Sequence, residues 1–302
     1  MDLKSKIILI YGPTASGKSS FAIKLSKKIN GEIINADSMQ VYKELKVLSA
    51  RPSKNEYKRI KHHLFGFHSV KKKFSTGDWL KLANQKISDV KKRKKVPILV
   101  GGTGLYFKSL TDGLVSIPNI PIKFREKVRS LHKKIGSKKF FSKLIKLDPL
   151  VKNRIKSSDV QRSIRAYEVK SFTKKSIYLW FKKTKSNYQQ KDFYKIYIDF
   201  PKDKLVERIH LRAQEMLKKG AISEVKKFNS LKVRNDKTAY KAIGIREVNE
   251  YIQKKIEIAE VIEKISIKTR QYAKRQRTWA NGNMQNWNKI NPIQLTDFLK
   301  KI

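Results

Sequence analysis

Cysteine is absent from the 302-residue chain. Disulfides and thiolate-bound zinc are therefore excluded, and a cytoplasmic setting is the default expectation. Acidic residues are scarce: 25 Asp and Glu stand against 71 Lys and Arg, for a formal charge of +46. No apolar run reaches the ~18 residues of a spanning helix, so no membrane association is expected. The start, Met1-Asp2-Leu3-Lys4, leads directly into a strand-like segment and does not resemble a secretory leader. Apolar residues still make up 39% of the chain, which is enough for a packed core and too much for bulk disorder. The length suits one large domain or two modest ones, one inserted into the other. The basic excess fits a polyanionic partner, nucleic acid first. Lysine is also spread along the whole chain among Ile and Asn, a pattern that compositional bias produces too.

Short apolar runs mark the strands. Lys6 to Tyr11, Glu32 to Ala36, Val96 to Val100 and Tyr194 to Asp199 each read as a buried strand of a parallel sheet. A helix is predicted from about Lys18, with Phe21, Ala22, Leu25 and Ile29 at helical spacing and Asn30-Gly31 as its stop. Strands alternating with helices imply an α/β fold with a parallel sheet. The stretch 113–190 has no clear strand, is rich in Lys and Phe, and reads as an inserted helical domain; 1–112 and 191–302 then form the core. After Pro201 the chain reads as helical to about Ala280, and the last twenty residues show only weak periodicity.

Gly12-Pro13-Thr14-Ala15-Ser16-Gly17-Lys18-Ser19 matches G-x-x-x-x-G-K-[ST] and lies between a strand and a helix. The glycines admit a phosphate to the backbone amides, and the helix N-terminus adds free N–H groups. Lys18 supplies a charge to phosphate oxygens, and the Ser19 hydroxyl is a candidate Mg²⁺ ligand. The ligand therefore carries a phosphate or diphosphate. In a P-loop NTPase-like core an apolar strand usually ends in an Asp that helps hold Mg²⁺. Here Ile98-Leu99-Val100 runs into Gly101-Gly102-Thr103-Gly104 instead. The better-placed acid is Asp37, at the end of the second strand, either as metal ligand, as general base, or as a turn cap.

Four segments together resemble the tRNA dimethylallyltransferase (tRNA isopentenyltransferase) family. They are the phosphate loop, Asn35-Ala36-Asp37-Ser38-Met39-Gln40-Val41-Tyr42, Gly101 to Tyr106, and Asp159 to Val169. His62-His63-Leu64, Lys241 to Glu247 and Thr269 to Gln276 follow the same order. The resemblance implies a P-loop α/β core with an inserted helical domain. It implies transfer of the dimethylallyl group of dimethylallyl diphosphate to N6 of adenosine at tRNA position 37, with Mg²⁺ and no ATP consumed. It makes Asp37 the base, and Thr14, Lys18 and Arg212 partners of the diphosphate, although helical spacing alone puts Arg212 on a solvated face. It makes Asp37, Ser38, Met39, Gln40, Thr103, Arg125, Gln161, Arg162, Ser163, Ile164, Arg165, Lys241, Ala242, Ile243, Gly244, Ile245 and Arg246 contacts of the anticodon stem-loop. Ile245 stands where many relatives carry Tyr. A monomer is implied as well.

Ser158-Asp159-Val160-Gln161 also reads as a capping box, which gives Gln161 a second reading as cap partner. Arg162 and Arg165, one turn apart, suit a phosphate backbone, and Arg270, Lys274 and Arg277 form a second basic stripe. Two adjacent histidines, His62 and His63, diverge on any regular element and so do not suit one metal. Lys91-Lys92-Arg93-Lys94-Lys95 reads as the wet end of a helix. Three alternatives share parts of these features: an adenine-nucleotide prenyltransferase, a P-loop small-molecule kinase, and an RNA-binding protein with a relic P-loop.

Overall fold

The computed structural model describes residues 3–302 other than 54, 58, 183 and 236, so Met1 and Asp2 lie outside the described residues. Five consecutive buried apolar residues form β1 (Ile7–Tyr11), as a strand covered on both faces requires. The chain turns through the phosphate loop into α1 (Lys18–Lys28) and returns as β2 (Gly31–Asn35). Asn30 takes the left-handed conformation at φ 53° and reverses the chain there. A two-residue strand, β3 (His62–His63), precedes α2 (Thr76–Lys92), β4 (Val96–Gly101) and α3 (Gly104–Thr111). After α4 (Ile122–Leu147), α5 (Val160–Thr173) and α6 (Ile177–Phe181) the core resumes with β5 (Phe193–Ile198). It continues through α7 (Lys202–Lys218), α8 (Ala221–Ser230), α9 (Ile245–Ile252) and α10 (Ile258–Asn283) to β6 (Asn288–Ile290) and α11 (Pro292–Lys300).

The six strands form one all-parallel sheet in the order β3-β2-β4-β1-β5-β6. The phosphate-loop strand is therefore central. Alternate residues of β1 feed two cores, as period-two geometry demands. Ile7, Leu9 and Tyr11 pack with Trp79, Phe107 and Trp287 on one face. Ile8 and Ile10 pack with Phe21, Leu25 and Ile290 on the other. The four long strands lie where the apolar runs place them. β3 and β6 were not expected, because two or three residues carry no readable period.

The chain forms two compact units, Met1–Thr111 with Tyr188–Ile302, and Asp112–Asn187. The expected limits of 113 and 190 differ from these by one and three residues. The smaller unit is helical, with its own core of Ile120, Leu144, Val151, Ile155, Ala166, Val169 and Ile177. Its α4 breaks at Gly136, where φ is 76°. The cap of α5 differs from the expected box. Asp159, not Ser158, is the N-cap, and its carboxylate accepts from Arg162 N at 3.1 Å. Gln161 is exposed within the first turn and is no cap partner. A single carboxylate at the cap position satisfies the orphan amide without help.

The two histidines point apart. His62 stacks on Tyr57 at 3.9 Å, whereas His63 Nε2 meets Glu32 Oε2 at 2.6 Å. Lys91 and Lys92 close α2 and Lys94 follows its C-cap, all exposed, but Arg93 and Lys95 reach back to the buried Glu32 at 2.7 and 3.7 Å. No helix among the described residues is long and apolar enough to cross a membrane.

Candidate active site

The phosphate loop is held by its own backbone. Ala15 and Gly17 take left-handed φ values of 63° and 83°, and Ser16 N donates to the Pro13 carbonyl at 3.3 Å. Gly17 is the N-cap of α1, and no side chain caps that helix end. Its first-turn N–H groups face the loop unclaimed by a cap, the arrangement an anion requires. Lys18 curls over the loop, its Nζ donating to the Pro13 carbonyl at 3.1 Å.

Asp37 ends β2 in a built turn. Asn35 Oδ1 accepts from Asp37 N at 2.9 Å, and Asp37 Oδ1 accepts from Met39 N at 2.9 Å. Thr103 ties this turn to the end of β4: its Oγ1 accepts from Ser38 N at 2.9 Å, and its own N–H donates to Ala36 O at 3.2 Å. The Gly-rich exit of β4 makes room for a third element. Buried Gln276, from α10, donates through Nε2 to Gly102 O at 2.9 Å and accepts from Thr14 N at 2.8 Å. A Cβ on Gly102 would lie 2.1 Å from Gln276 Nε2, so a larger residue there would displace that amide from its bond to Gly102 O. One amide side chain thus joins the phosphate loop to the neighbouring strand end.

Arg212 does not lie on a solvated face. Its Nη1 donates to Thr14 Oγ1 at 3.3 Å. Helical spacing predicts a buried stripe of Leu205, Ile209, Ala213 and Met216 on α7; the first three are buried and Met216 is half-buried. The face beside that stripe is turned onto the loop by tertiary packing, which the period of one helix does not specify.

These groups share one cavity of about 340 Å³. Thr14, Lys18, Ser19, Asp37 and Arg212 are among its polar lining, and Leu48, Ile209, Ala213, Met216 and Ile265 among its apolar lining. Burial pushes the Lys18 ammonium down to about 8, against the pull of Asp37 and with help from the charge of Arg212. Burial likewise lowers Arg212, again opposed by Asp37. Tyr272, also in the cavity and beside Thr103 and Gln276, is raised by burial and then by the Asp37 charge, so its hydroxyl keeps its proton. The cavity therefore sets four cationic side chains, Lys18, Arg212, Lys241 and Arg275, against the single carboxylate of Asp37, which leaves net positive charge for an anion. Tyr272, Arg275 and Gln276 were not assigned roles from sequence, although they lie in the matched segment Thr269 to Gln276. A glutamine on the buried stripe of a helix was the readable signal.

The residues expected to meet RNA are placed unevenly. Ser38, Met39, Gln40, Lys241, Ala242 and Ile243 line the same cavity as Asp37. Gly244 caps α9, Ile245 is buried, and exposed Arg246 pairs with Glu250 at 3.1 Å. In the helical unit Gln161 and Arg162 are exposed and Ile164 is half-buried, while Ser163 is buried. Arg125 and Arg165 both lie against Glu168, at 3.5 and 3.4 Å. Of the second stripe, Arg270 and Lys274 are exposed and Arg277 is tied to Asp199 at 3.9 Å. Ser19 is the one predicted metal ligand; it lines the cavity with Asp37, and a hydroxyl and a carboxylate are the oxygen donors that suit Mg²⁺.

Known proteins were compared with this chain in sequence and in fold. The family model described as IPP transferase matches residues 40–283. A tRNA dimethylallyltransferase of Pelagibacter ubique (strain HTCC1062) is 60% identical over 302 residues, covering 100% of this chain and 96% of its own. One of Rickettsia massiliae (strain Mtu5) is 42% identical, covering 99% and 83%. A full-length tRNA isopentenylpyrophosphate transferase from Bacillus halodurans superposes with a TM-score of 0.69 at 29% identity, over 98% of this chain and 95% of that one. A eukaryotic dimethylallyltransferase, solved in snapshots of it acting on tRNA, gives 0.82 at 27% identity, over 95% and 73%. The matched sequences span the phosphate loop and Asp37 as well as the helical unit, and on that footing the chain belongs to the IPP transferase family.

Proposed function

We propose that this protein transfers the dimethylallyl group from dimethylallyl diphosphate to N6 of adenosine at tRNA position 37, in the anticodon stem-loop, and releases diphosphate. The observation that carries this reading is a single cavity lined by both cationic and aliphatic side chains. Its cations Lys18 and Arg212, with the hydroxyls of Thr14 and Ser19, suit a diphosphate. Its aliphatic lining, Leu48, Ile209, Ala213, Met216 and Ile265, suits a short hydrocarbon joined to that diphosphate.

The chemistry follows from charge. The bond from the prenyl C1 to the diphosphate oxygen breaks as the bond from C1 to N6 forms. Negative charge grows on the leaving diphosphate, and Lys18, Arg212 and the first amides of α1 are set to meet it. The amine nitrogen gains positive charge and sheds a proton, and the Asp37 carboxylate in the same cavity accepts it. Thr14 presents its hydroxyl to the diphosphate while Arg212 fixes that hydroxyl. Ser19 would hold Mg²⁺ through its hydroxyl; when bound, the ion offsets leaving-group charge. An anticodon-loop base is already single-stranded, so turning it into a pocket costs little. The relatives' names, the +46 charge and the solved eukaryotic neighbour acting on tRNA support a tRNA acceptor over a free nucleotide. A complete site within one chain supports a monomer.

Mass spectrometry of unmodified tRNA after incubation with the protein, Mg²⁺ and dimethylallyl diphosphate, without ATP, tests the proposal. Adenosine beside the anticodon should gain C5H8. Gain on free AMP alone would establish the nucleotide prenyltransferase instead. ATP-dependent labelling of a small molecule, with neither gain, would establish a kinase.

A further inference from the structure

In the helical unit a buried carboxylate faces more cations than it can pair. Glu168 is 2% exposed, and three guanidinium groups surround its carboxylate. Arg165 Nη1 and Arg125 Nε lie 3.4 and 3.5 Å from Oε2, and Arg129 Nε lies 3.8 Å from Oε1. Arg125 and Arg129 stand one turn apart on α4, and Arg165 one turn before Glu168 on α5. Two helices therefore aim three cations at one anion.

One carboxylate needs one partner, and a buried ion pair is in general no better for stability than apolar packing. Three partners leave two positive charges in excess. Among the described residues, neither Glu168 Oε1 nor Arg125 Nε has a hydrogen bond. The longer contacts hold the guanidinium groups without saturating their N–H forks. Their side chains remain 39%, 60% and 35% exposed for Arg125, Arg129 and Arg165. Planar forks in that state match the oxygens of a phosphate. The cations also crowd one another: burial and then the Arg125 charge both lower Arg165, and Glu168 opposes them. Without that carboxylate the three groups would splay apart.

We infer that Glu168 is a positioning residue that gathers Arg125, Arg129 and Arg165 into one face for the phosphate backbone of RNA. The inference rests on the tRNA reading above and adds Arg129 and Glu168 to it. Its test turns on a sign. Glu168→Gln removes a negative charge, so bulk electrostatics predicts tighter binding to a polyanion. Positioning predicts weaker binding.

The measurement is tRNA affinity at several salt concentrations, with steady-state kinetics on both substrates. In Glu168→Gln the tRNA Kd should rise about tenfold, and the slope of log K against log salt should shrink by about one. The loss should fall on the KM for tRNA and not on the KM for dimethylallyl diphosphate. Equal or tighter binding by folded Glu168→Gln overturns the inference. Should that variant not fold, Arg165→Lys decides: it keeps the charge and removes the fork, and wild-type affinity there also overturns the inference. Wild-type protein that modifies tRNA while Glu168→Gln binds normally removes this inference alone; wild-type protein that neither binds nor modifies tRNA removes the function reading with it.

Discussion

At the scale of single residues, the site depends on charges kept out of water. Asp37→Asn preserves shape and removes the proton acceptor, so single-turnover transfer should fall about a hundredfold or more while tRNA affinity holds. A normal rate would take Asp37 out of that role. Lys18 carries a pH signature. Its ammonium is buried down to about 8 from 10.5, so the free enzyme loses this charge as pH rises through about 8. The KM for dimethylallyl diphosphate should climb above that pH. The stability effect runs the other way. Between about 8 and 10.5 the unfolded chain holds more protons, so stability from this group rises with pH across that window, and the burial cost is complete below about 8. Lys18→Met should therefore raise the unliganded Tm at pH 7, with the gain fading towards pH 10.5. Calorimetry across the window checks the sign, and added pyrophosphate should stabilise the wild type far more than the variant.

At the scale of elements, the sheet is pinned at both ends of its strands. At the far end from the site, Glu32 of β2 is buried beneath Arg93 and His63. Burial alone would raise its carboxyl; hydrogen bonds from Arg93 and His63 outweigh burial and hold it down to about 2. The sign is that of a depressed acid: the stabilisation is present above 4.5 and is lost as pH falls to about 2. Glu32→Gln should cost about 3 kcal/mol at pH 7, and the difference from wild type should vanish by pH 2 in denaturant titrations. At the site end, Gln276 of α10 does the pinning with neutral hydrogen bonds. A charged clasp there would compete with the anion, whereas an amide binds loop and strand without changing the field. The pairings of β1 with β4 and β5 are legible as apolar runs; the clasp that fixes their ends is not, because it comes from a helix near the other end of the chain.

At the scale of the whole molecule, the chain folds as two compact units. Gln190 Nε2 donates to Thr111 O at 3.3 Å, so the core's chain ends meet where the helical unit leaves and returns. The smaller unit has a separate apolar core. Replacing 112–187 by a short Gly-Ser linker should therefore leave a core that unfolds in one transition and still binds pyrophosphate. The same protein should lose most of its tRNA affinity, measured by filter binding at fixed salt. Retained tRNA affinity would place the RNA contacts in the core. The +46 charge makes salt concentration part of any such measurement.

The sequence by itself determined the local chemistry. A strand, a glycine-rich turn and a helix beginning Lys18-Ser19 are legible as a phosphate loop because its backbone turn is local: Ser16 N donates to Pro13 O, and Ala15 and Gly17 take left-handed φ. Asp37 was legible for the same reason, as an acid at a strand end. Tertiary structure decided which of the 71 basic residues serve the site. Thr14 meets Arg212 across 198 positions and Gln276 across 262. Helical period states which residues share a face, and says nothing of what that face will meet. Only the packing of α7 and α10 against the sheet turns those faces onto the loop, and only the pairing of α4 with α5 encloses Glu168 among three arginines.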